Sequence, residues 1–400
     1  MGNSIKYNCI FGGGGVRGMC YIGALKALRE LDIEIGNIAG SSVGAVFAGL
    51  LAAGYNEEEI KELFFDFNFN IFRDININIF NTDISLSKGE IFLDWLREKI
   101  GKKILKDNYN ETSKIKFKDL EKDLHILTLD INTNTPFIFS KENTPDEEVA
   151  FAIRTSACMP GLMKPINFGE ALLVDGDLTK SWAGCNIYKT LDTSESRLLE
   201  FRLEGRKESS DFKSPMDYLN SIISTIWYLC TENVYNLNHQ NDRYDYIVID
   251  AKDVILFDFT IDKSIKEKLA EKGYKTTKNY FTQTLINKKK KIHEIYKKID
   301  VNLGYLKNAI SQNKPLDAIF TINEILSTMY DDTKYIDISI YEKIKSLKEC
   351  IIINTKKQFI FSKKINNEKQ IQERCEFIIS LVNERIQELE DYIKKYCKKC

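Results

Sequence analysis

The chain has 400 residues, of which 43% are hydrophobic and 29% are charged. This composition excludes a wholly disordered or collagen-like chain, and the length suggests about two domains. Lysine and arginine (57) nearly balance aspartate and glutamate (58), so we expect no nucleic-acid partner. No apolar run reaches the roughly 18 residues of a membrane-spanning helix. The absence of a recognisable secretory signal and the odd number of cysteines, nine, predict a cytoplasmic protein with reduced thiols.

The first 60 residues have the pattern strand, glycine loop, helix, strand, tight turn, helix. Residues 7–11 form a short apolar run that is typical of a buried strand, and residues 17–31 carry apolar side chains at helical spacing. Residues 33–39 can form a second strand, and residues 45–53 a helix of small residues. This alternation predicts an α/β fold with a mainly parallel sheet covered by helices on both faces.

The next 200 residues continue the α/β pattern with one unusual interruption. Residues 64–85 interleave six phenylalanines with Asn and Asp. We interpret them as a strand or cap that fills the core, and a lid that contacts membranes is the alternative. Further elements are predicted in chain order as a helix at 88–100, paired strands at 124–131 and 137–140, a helix at 146–158, strands at 171–174 and 198–203, a helix at 216–238 and a strand at 246–249.

Beyond residue 260 the composition changes. Residues 262–300 contain 12 lysines and 5 acidic residues, which favours a solvated helix face over a surface for anionic lipid headgroups. From Ile371 to Ile393, apolar residues recur every three or four positions as one helical stripe that we expect to pack within the protein. We therefore predict an α/β domain at 1–260 and a helical region at 261–400 with a regulatory, oligomerisation or membrane-contacting role.

The strongest chemical signal is Gly40-Ser41-Ser42-Val43-Gly44 between a predicted strand and a predicted helix. This G-x-S-x-G pattern is typical of a turn that presents a nucleophilic serine, here Ser42. A side chain two residues to either side would collide with so tight a turn. The positive end of the following helix would favour negative charge that develops at the serine. Without that chemistry, the segment would be an ordinary glycine-serine turn.

A second signal, Gly12-Gly13-Gly14-Gly15-Val16-Arg17-Gly18, follows the first strand. It satisfies G-x-G-x-x-G, which can mark a dinucleotide-binding loop. That interpretation requires an acidic residue about 20 positions on, at the tip of the second strand, whereas Glu34 lies near the start of that strand. The alternative is an oxyanion hole, in which consecutive glycines let backbone N–H groups converge on one oxygen.

A nucleophilic serine needs a base, and three histidines are available. His239 and His293 lie in polar or lysine-rich stretches, where a surface position is expected, and His125 is expected to be structural. Asp175, followed by Gly176 at the end of a short strand, is well placed for a Ser–Asp dyad, although most Asp-Gly pairs are only turns.

In combination these motifs resemble the patatin-like phospholipase family over about residues 5–190. The resemblance rests on residues 13–18, on Gly40-Ser41-Ser42-Val43-Gly44, on Asp175-Gly176, and on the small-residue segment 156–161 before that aspartate. It implies a three-layer α/β/α fold with a mainly parallel central sheet. The implied roles are Ser42 as nucleophile, Asp175 as general base, the backbone of Gly13, Gly14 and Gly15 as the oxyanion hole, and Arg17 as a residue that stabilises this loop.

One position departs from the family pattern. The family usually has Asp-Gly-Gly or Asp-Gly-Ala, whereas Asp177 takes the third place here. This second carboxylate could raise the pKa of Asp175 or point outward.

By this resemblance the chain is a lipid acyl hydrolase of the phospholipase A or lysophospholipase type, with no cofactor and no metal. Its expected partners are a phospholipid membrane surface, which it would contact peripherally, and an activating nucleotide or protein, as in family members that act in bacterial antiviral defence. A homo-oligomer also stays open. The alternatives are an inactive lipid-binding or scaffold protein and, less favoured, a nucleotide-dependent oxidoreductase.

Overall fold

A computed structural model describes most of the chain. The described residues are 5–66, 87–160, 162–179, 197–205, 221–222, 225, 244–256, 258, 260–331, 336–356 and 367–397. Within them, one sheet contains eight strands, which are β1 Ile5–Phe11, β2 Ile33–Gly40, β3 Leu124–Asp130, β4 Thr135–Ser140, β5 Ile166–Phe168, β6 Ala171–Asp175, β7 Arg197–Glu204 and β8 Tyr244–Asp250.

The same residues form ten α-helices, six of which precede residue 280. They are α1 Met19–Glu30, α2 Val43–Ala52, α3 Glu57–Phe65, α4 Glu90–Leu105, α5 Val149–Ser156, α6 Lys263–Asn279, α7 Leu285–Ser311, α8 Pro315–Asp331, α9 Ile338–Lys356 and α10 Glu368–Cys397. None of the described helices is long and apolar enough to cross a membrane.

The strands form a mixed sheet in the order β5-β6-β3-β2-β1-β7-β8, with β4 also paired to β3. Strands β3, β2, β1, β7 and β8 run parallel to one another. The antiparallel pairs, β3 with β4, β3 with β6, and β5 with β6, all lie at one side of the sheet. The predicted mainly parallel sheet with flanking helices is therefore confirmed.

The chain divides into two compact units. The first contains the sheet and the chain up to Lys278 except for residues 240–242, and the second contains the helices from Asn279 onward. The predicted domain boundary after residue 260 stays a prediction, because compactness alone does not test whether either part folds independently.

The first unit includes most of α6, which packs against α1 at two glycines. A Cβ atom on Gly23 would collide with the carbonyl oxygen of Ala270, and one on Gly273 would collide with that of Cys20. The two helix backbones thus approach too closely for any side chain at these positions.

Helix α6 also contacts the end of α3 through a lysine. The Nζ of Lys266 donates hydrogen bonds to the carbonyl oxygens of Phe64 and Phe65, at 2.9 and 3.0 Å. These are C-terminal carbonyls of α3 that lack helical partners, so the lysine caps the helix. Lys266 and Lys289 are both buried, so the prediction of a solvated lysine-rich face is wrong for these two lysines.

The second unit has its own apolar core, formed by α7, α8, α9 and α10. The predicted stripe of α10 faces this core, with Ile371, Cys375, Ile378, Val382, Ile386 and Leu389 buried. Tyr392, rather than Ile393, continues the buried stripe. The predicted helical C-terminal region is confirmed.

Two other predictions fall partly or wholly outside the described residues. Phe64 and Phe65 belong to helix α3, and Phe64 stacks on Phe47 in the core with ring centroids 4.6 Å apart. Apart from Asp66, the rest of the Phe-rich segment lies outside the described residues. So do His239 and most of the predicted helix at 216–238.

Candidate active site

Ser42 lies at the turn between β2 and α2 in a strained backbone conformation. Its φ is 53° and its ψ is −128°, a region that side-chain-bearing residues rarely adopt and that costs of order 1–3 kcal/mol. Ser42 is the N-cap of α2, so the positive end of that helix lies at the serine. A Cβ on Gly40 would collide with the carbonyl of Gly44, and one on Gly44 with that of Phe11. The predicted need for glycine on both sides of the serine is confirmed.

The sheet topology brings Asp175 toward this turn. Strand β4 pairs along one edge of β3, so β2 and β6 share the other edge. Strand β2 is parallel to β3 and ends at Gly40, opposite Ile126. Strand β6 is antiparallel to β3 and ends at Asp175, opposite Thr128. The two strands therefore run toward each other and end two β3 positions apart, which places Asp175 next to the serine turn.

The Asp175 carboxyl group is fully buried and lies near the Ser42 hydroxyl. Its Oδ1 accepts a hydrogen bond from the N–H of Asp177 at 2.9 Å. Among the described residues, no donor is both close enough and well enough aligned to form a hydrogen bond to its Oδ2 atom. Burial first, and then the charge of Asp177, raise the pKa of Asp175 to about 8, while the Asp177 N–H and the Ser42 hydroxyl lower it. Hydrogen bonds between a nucleophile and its base are often long before substrate binds.

The glycine loop lies directly against the serine. A Cβ on Gly13 would be 2.8 Å from the Cβ of Ser42. Gly14 and Gly15 have positive φ angles of 150° and 54°, so only glycine adopts this path without strain. The N–H of Gly13 donates to Asp177 Oδ2 at 2.7 Å. In the described part of the chain, the N–H groups of Gly14 and Gly15 have no acceptor.

Arg17 anchors the glycine loop rather than facing the serine. Its guanidinium donates to the carbonyl oxygens of Val254 and Gly205, both at 2.8 Å. These carbonyls follow strands β8 and β7, and the arginine is buried. Burial lowers the pKa of Arg17 to about 10. Arg17 is thus placed to hold the loop against the carboxyl ends of two neighbouring strands.

Ser156 is a residue whose contact with the turn we did not predict. The N–H of Ser42 donates to Ser156 Oγ at 3.0 Å, and that hydroxyl donates to the carbonyl of Leu127 at 2.5 Å. The side chain thus links the serine turn to strand β3. Its segment was singled out only for its small residues, and nothing local in it indicates this contact.

Asp177, the residue that departs from the family pattern, points its side chain into the protein. This residue is buried, and its carboxylate also accepts a hydrogen bond from the Ser41 hydroxyl. Of the two alternatives considered for Asp177, the structure thus favours the one in which its charge raises the pKa of Asp175.

Strand β7 contributes a buried glutamate–arginine pair near Asp177. The sequence did not indicate this pair. Glu200 accepts from Arg202 Nε at 3.0 Å. Burial, reinforced by Asp177, raises the pKa of Glu200 to about 8, although Arg202 opposes the shift.

The two histidines in the described residues do not hydrogen-bond to Ser42 or Asp175. His125 is buried in β3, as a structural residue would be, and burial lowers its pKa. His293 contacts Glu390 at 2.9 Å in the second unit.

These features define an α/β domain with a strained serine turn, a buried aspartate and a glycine loop at one edge of a mixed sheet. Residues 9–180 match the family model described as patatin-like phospholipase. The matched residues include the glycine loop, the serine turn and Asp175.

Three comparisons illustrate the similarity. An uncharacterized protein of Acanthamoeba polyphaga mimivirus is 27% identical over 287 residues, which cover 70% of this chain and 95% of the relative. A protein of Invertebrate iridescent virus 6, named a probable lipid hydrolase, is 28% identical over 173 residues, which cover 42% of this chain and 58% of the relative. The crystal structure of VipD from Legionella pneumophila aligns over 94% of this chain and 92% of its own, with 13% identity and a TM-score of 0.47.

Proposed function

We propose that this protein is a serine hydrolase that cleaves fatty-acyl esters of membrane glycerophospholipids, as a phospholipase A or lysophospholipase does. The observation that carries the proposal is the pairing of Ser42, on its strained turn, with the buried carboxyl group of Asp175. The family match and the lipid hydrolase among the relatives support a lipid ester as the substrate.

The reaction begins with attack on the ester. Ser42 Oγ forms a bond to the carbonyl carbon while its proton passes to Asp175. We assign the proton to Oδ2, which has no hydrogen-bond partner among the described residues, whereas Oδ1 accepts the Asp177 N–H. The carbonyl oxygen becomes an oxyanion that the glycine loop stabilises, and one such donor is worth about 3–4 kcal/mol.

The tetrahedral intermediate then collapses. The bond from the carbonyl carbon to the lysolipid oxygen breaks, and that oxygen takes the proton from Asp175. An acyl group remains on Ser42. Water attacks this ester, gives a proton to Asp175 and releases the fatty acid, and Ser42 recovers its proton from the aspartate.

The first experiment combines active-site labelling with lipid hydrolysis. We expect a fluorophosphonate probe to label Ser42 in the wild-type protein, and phosphatidylcholine vesicles to release fatty acid. Ser42→Ala and Asp175→Asn should each lower the rate by about 10⁴-fold. Ser264→Ala, at an exposed position of α6, is the matched control and should keep both activities.

The alternatives make different predictions in this experiment. An inactive lipid-binding or scaffold protein would bind the vesicles without labelling or hydrolysis. An oxidoreductase would purify with a nicotinamide or flavin absorption spectrum and would not be labelled. Full hydrolysis by Ser42→Ala would exclude the proposed mechanism.

The proposal extends to regulation. By analogy with the antiviral phospholipases, an activating nucleotide or protein, or a second copy of the chain, would act through the helical residues beyond the α/β fold. The test is hydrolysis with and without cyclic nucleotides, together with the oligomeric state measured by light scattering.

A further inference from the structure

Asp177 connects the two loops that build the candidate site. One oxygen, Oδ2, accepts the N–H of Gly13 from the glycine loop at 2.7 Å. The other, Oδ1, accepts the hydroxyl of Ser41, the residue immediately before the nucleophile. A single buried carboxylate therefore bridges the loop after β1 and the turn after β2.

This bridge also determines which backbone N–H groups of the glycine loop are available to bind an oxyanion. The Gly13 N–H points at a carboxylate, and a hydrogen bond to a charged acceptor is about twice as strong as a neutral one. An oxyanion would have to displace that carboxylate to reach it. Within the described residues, the neighbouring N–H groups of Gly14 and Gly15 donate to no acceptor, so they can donate to an oxyanion without breaking a hydrogen bond.

The bridge is possible only because position 13 is glycine. A Cβ there would collide with Asp177 Oδ2 and would lie 2.8 Å from the Ser42 Cβ. Gly13 is thus enclosed between the carboxylate and the nucleophile.

We propose that Asp177 is a positioning residue, which clamps the glycine loop onto the serine turn and thereby assigns the oxyanion hole to the N–H groups of Gly14 and Gly15. The proposal rests on the proposed function of Ser42 and Asp175. It gives the carboxylate at this position a function that a glycine or alanine there could not supply.

The kinetic test compares two substitutions of Asp177 on a soluble p-nitrophenyl ester, with kcat expressed per site titrated by fluorophosphonate. Asp177→Ala removes both acceptors, and the resulting misplacement of the loop should lower kcat by about 100-fold. KM should stay within about threefold, because the lost interactions act in the transition state. Asp107→Asn, at an exposed site, is the control and should match the wild type.

Asp177→Asn separates the charge from the hydrogen bonds. The amide can still accept the Gly13 N–H and donate to Ser41, so kcat at alkaline pH should stay within about fivefold. Loss of the negative charge beside Asp175 should move the midpoint of the pH–rate profile about one unit toward acid. This variant also keeps the test decisive if Asp177→Ala fails to fold.

A structure of the phosphonylated enzyme tests the donor assignment directly. The phosphoryl oxygen, which takes the place of the oxyanion, should lie within hydrogen-bond distance of the nitrogens of Gly14 and Gly15. The Gly13 N–H should still donate its hydrogen bond to Asp177. An oxygen bound to the Gly13 nitrogen would overturn the assignment.

Two failures can be told apart. If the wild type hydrolyses esters but Asp177→Ala keeps its kcat and Asp177→Asn keeps its pH midpoint, the positioning role alone is wrong. A wild type that is neither labelled nor active would overturn the proposed function, and this inference with it.

Discussion

At the scale of single residues, the candidate site combines backbone strain with a buried carboxyl group. Ser42 has a positive φ, and Asp175 has no exposed surface. Both features cost stability and persist only because surrounding contacts hold them, among them the Ser156 hydroxyl on the Ser42 N–H. Backbone strain and buried titratable groups cluster at functional sites, which supports the roles proposed for Ser42 and Asp175.

The raised pKa of Asp175 predicts an alkaline pH dependence. Asp175 accepts a proton only when it is ionised, and its pKa of about 8 leaves most molecules protonated at neutral pH. The groups that face it are Asp177, Ser42 and Cys158, whose thiol has its own pKa raised to about 12 by burial and stays neutral. The rate of fluorophosphonate labelling should therefore rise with pH and level off above about 8.

The labelling rate can be measured over a pH series in one buffer mixture at constant ionic strength. Circular dichroism at each pH is the control for folding. A rate that already levels off near pH 5, as an unperturbed aspartate would give, would contradict the assigned environment of Asp175.

At the scale of elements, the site forms where two strands that share an edge of β3 meet. The serine turn was predictable because its requirements are local: glycine at positions 40 and 44, and a strand before and a helix after. The antiparallel direction of β6 is set by its pairing with β3, in which Asp175 lies opposite Thr128, 47 positions earlier in the chain, so no local pattern indicates it.

Side chains that reach across the fold were harder to predict for the same reason. Ser156, Asp177 and Glu200 acquire their surroundings only after the strands have assembled. Of these three, only Asp177 stood out individually in the sequence, as a departure from a family pattern. Whether its side chain points inward or outward could not be predicted. By contrast, the apolar stripe of α10 was predictable because helical periodicity depends only on the spacing of residues within one segment of the sequence.

The close crossing of α1 and α6 gives a prediction with a matched control. Gly273→Ala places a methyl group against the Cys20 carbonyl, so we expect a loss of about 1–3 kcal/mol in the free energy of unfolding. Gly304 lies in the exposed part of α7 with nothing within 4 Å of an added Cβ. Gly304→Ala should therefore stabilise its helix by about 0.5–1 kcal/mol.

Denaturant unfolding followed by circular dichroism measures both changes. Equal effects of the two substitutions would mean that the contact between α6 and α1 does not contribute to stability as the structure indicates.

At the scale of the whole molecule, the chain contains two compact units that bury separate sets of apolar side chains. Residues 9–180, which match the family, lie in the first unit, whereas the core of α7 to α10 is built from residues of the second unit alone. Each core can therefore be weakened separately by substitution, which tests the division of the chain that composition predicted.

Ile322→Ala probes the second core. Ile322 is fully buried in α8, and removing a buried isoleucine side chain to Cβ costs about 2–5 kcal/mol. If the second unit unfolds by itself, this substitution lowers the midpoint of one thermal transition and leaves the temperature at which Ser42 labelling is lost unchanged. Ile338→Ala, at a position 77% exposed, is the control and should change neither midpoint. Loss of labelling in step with the weakened transition would instead show that the two units unfold as one cooperative structure.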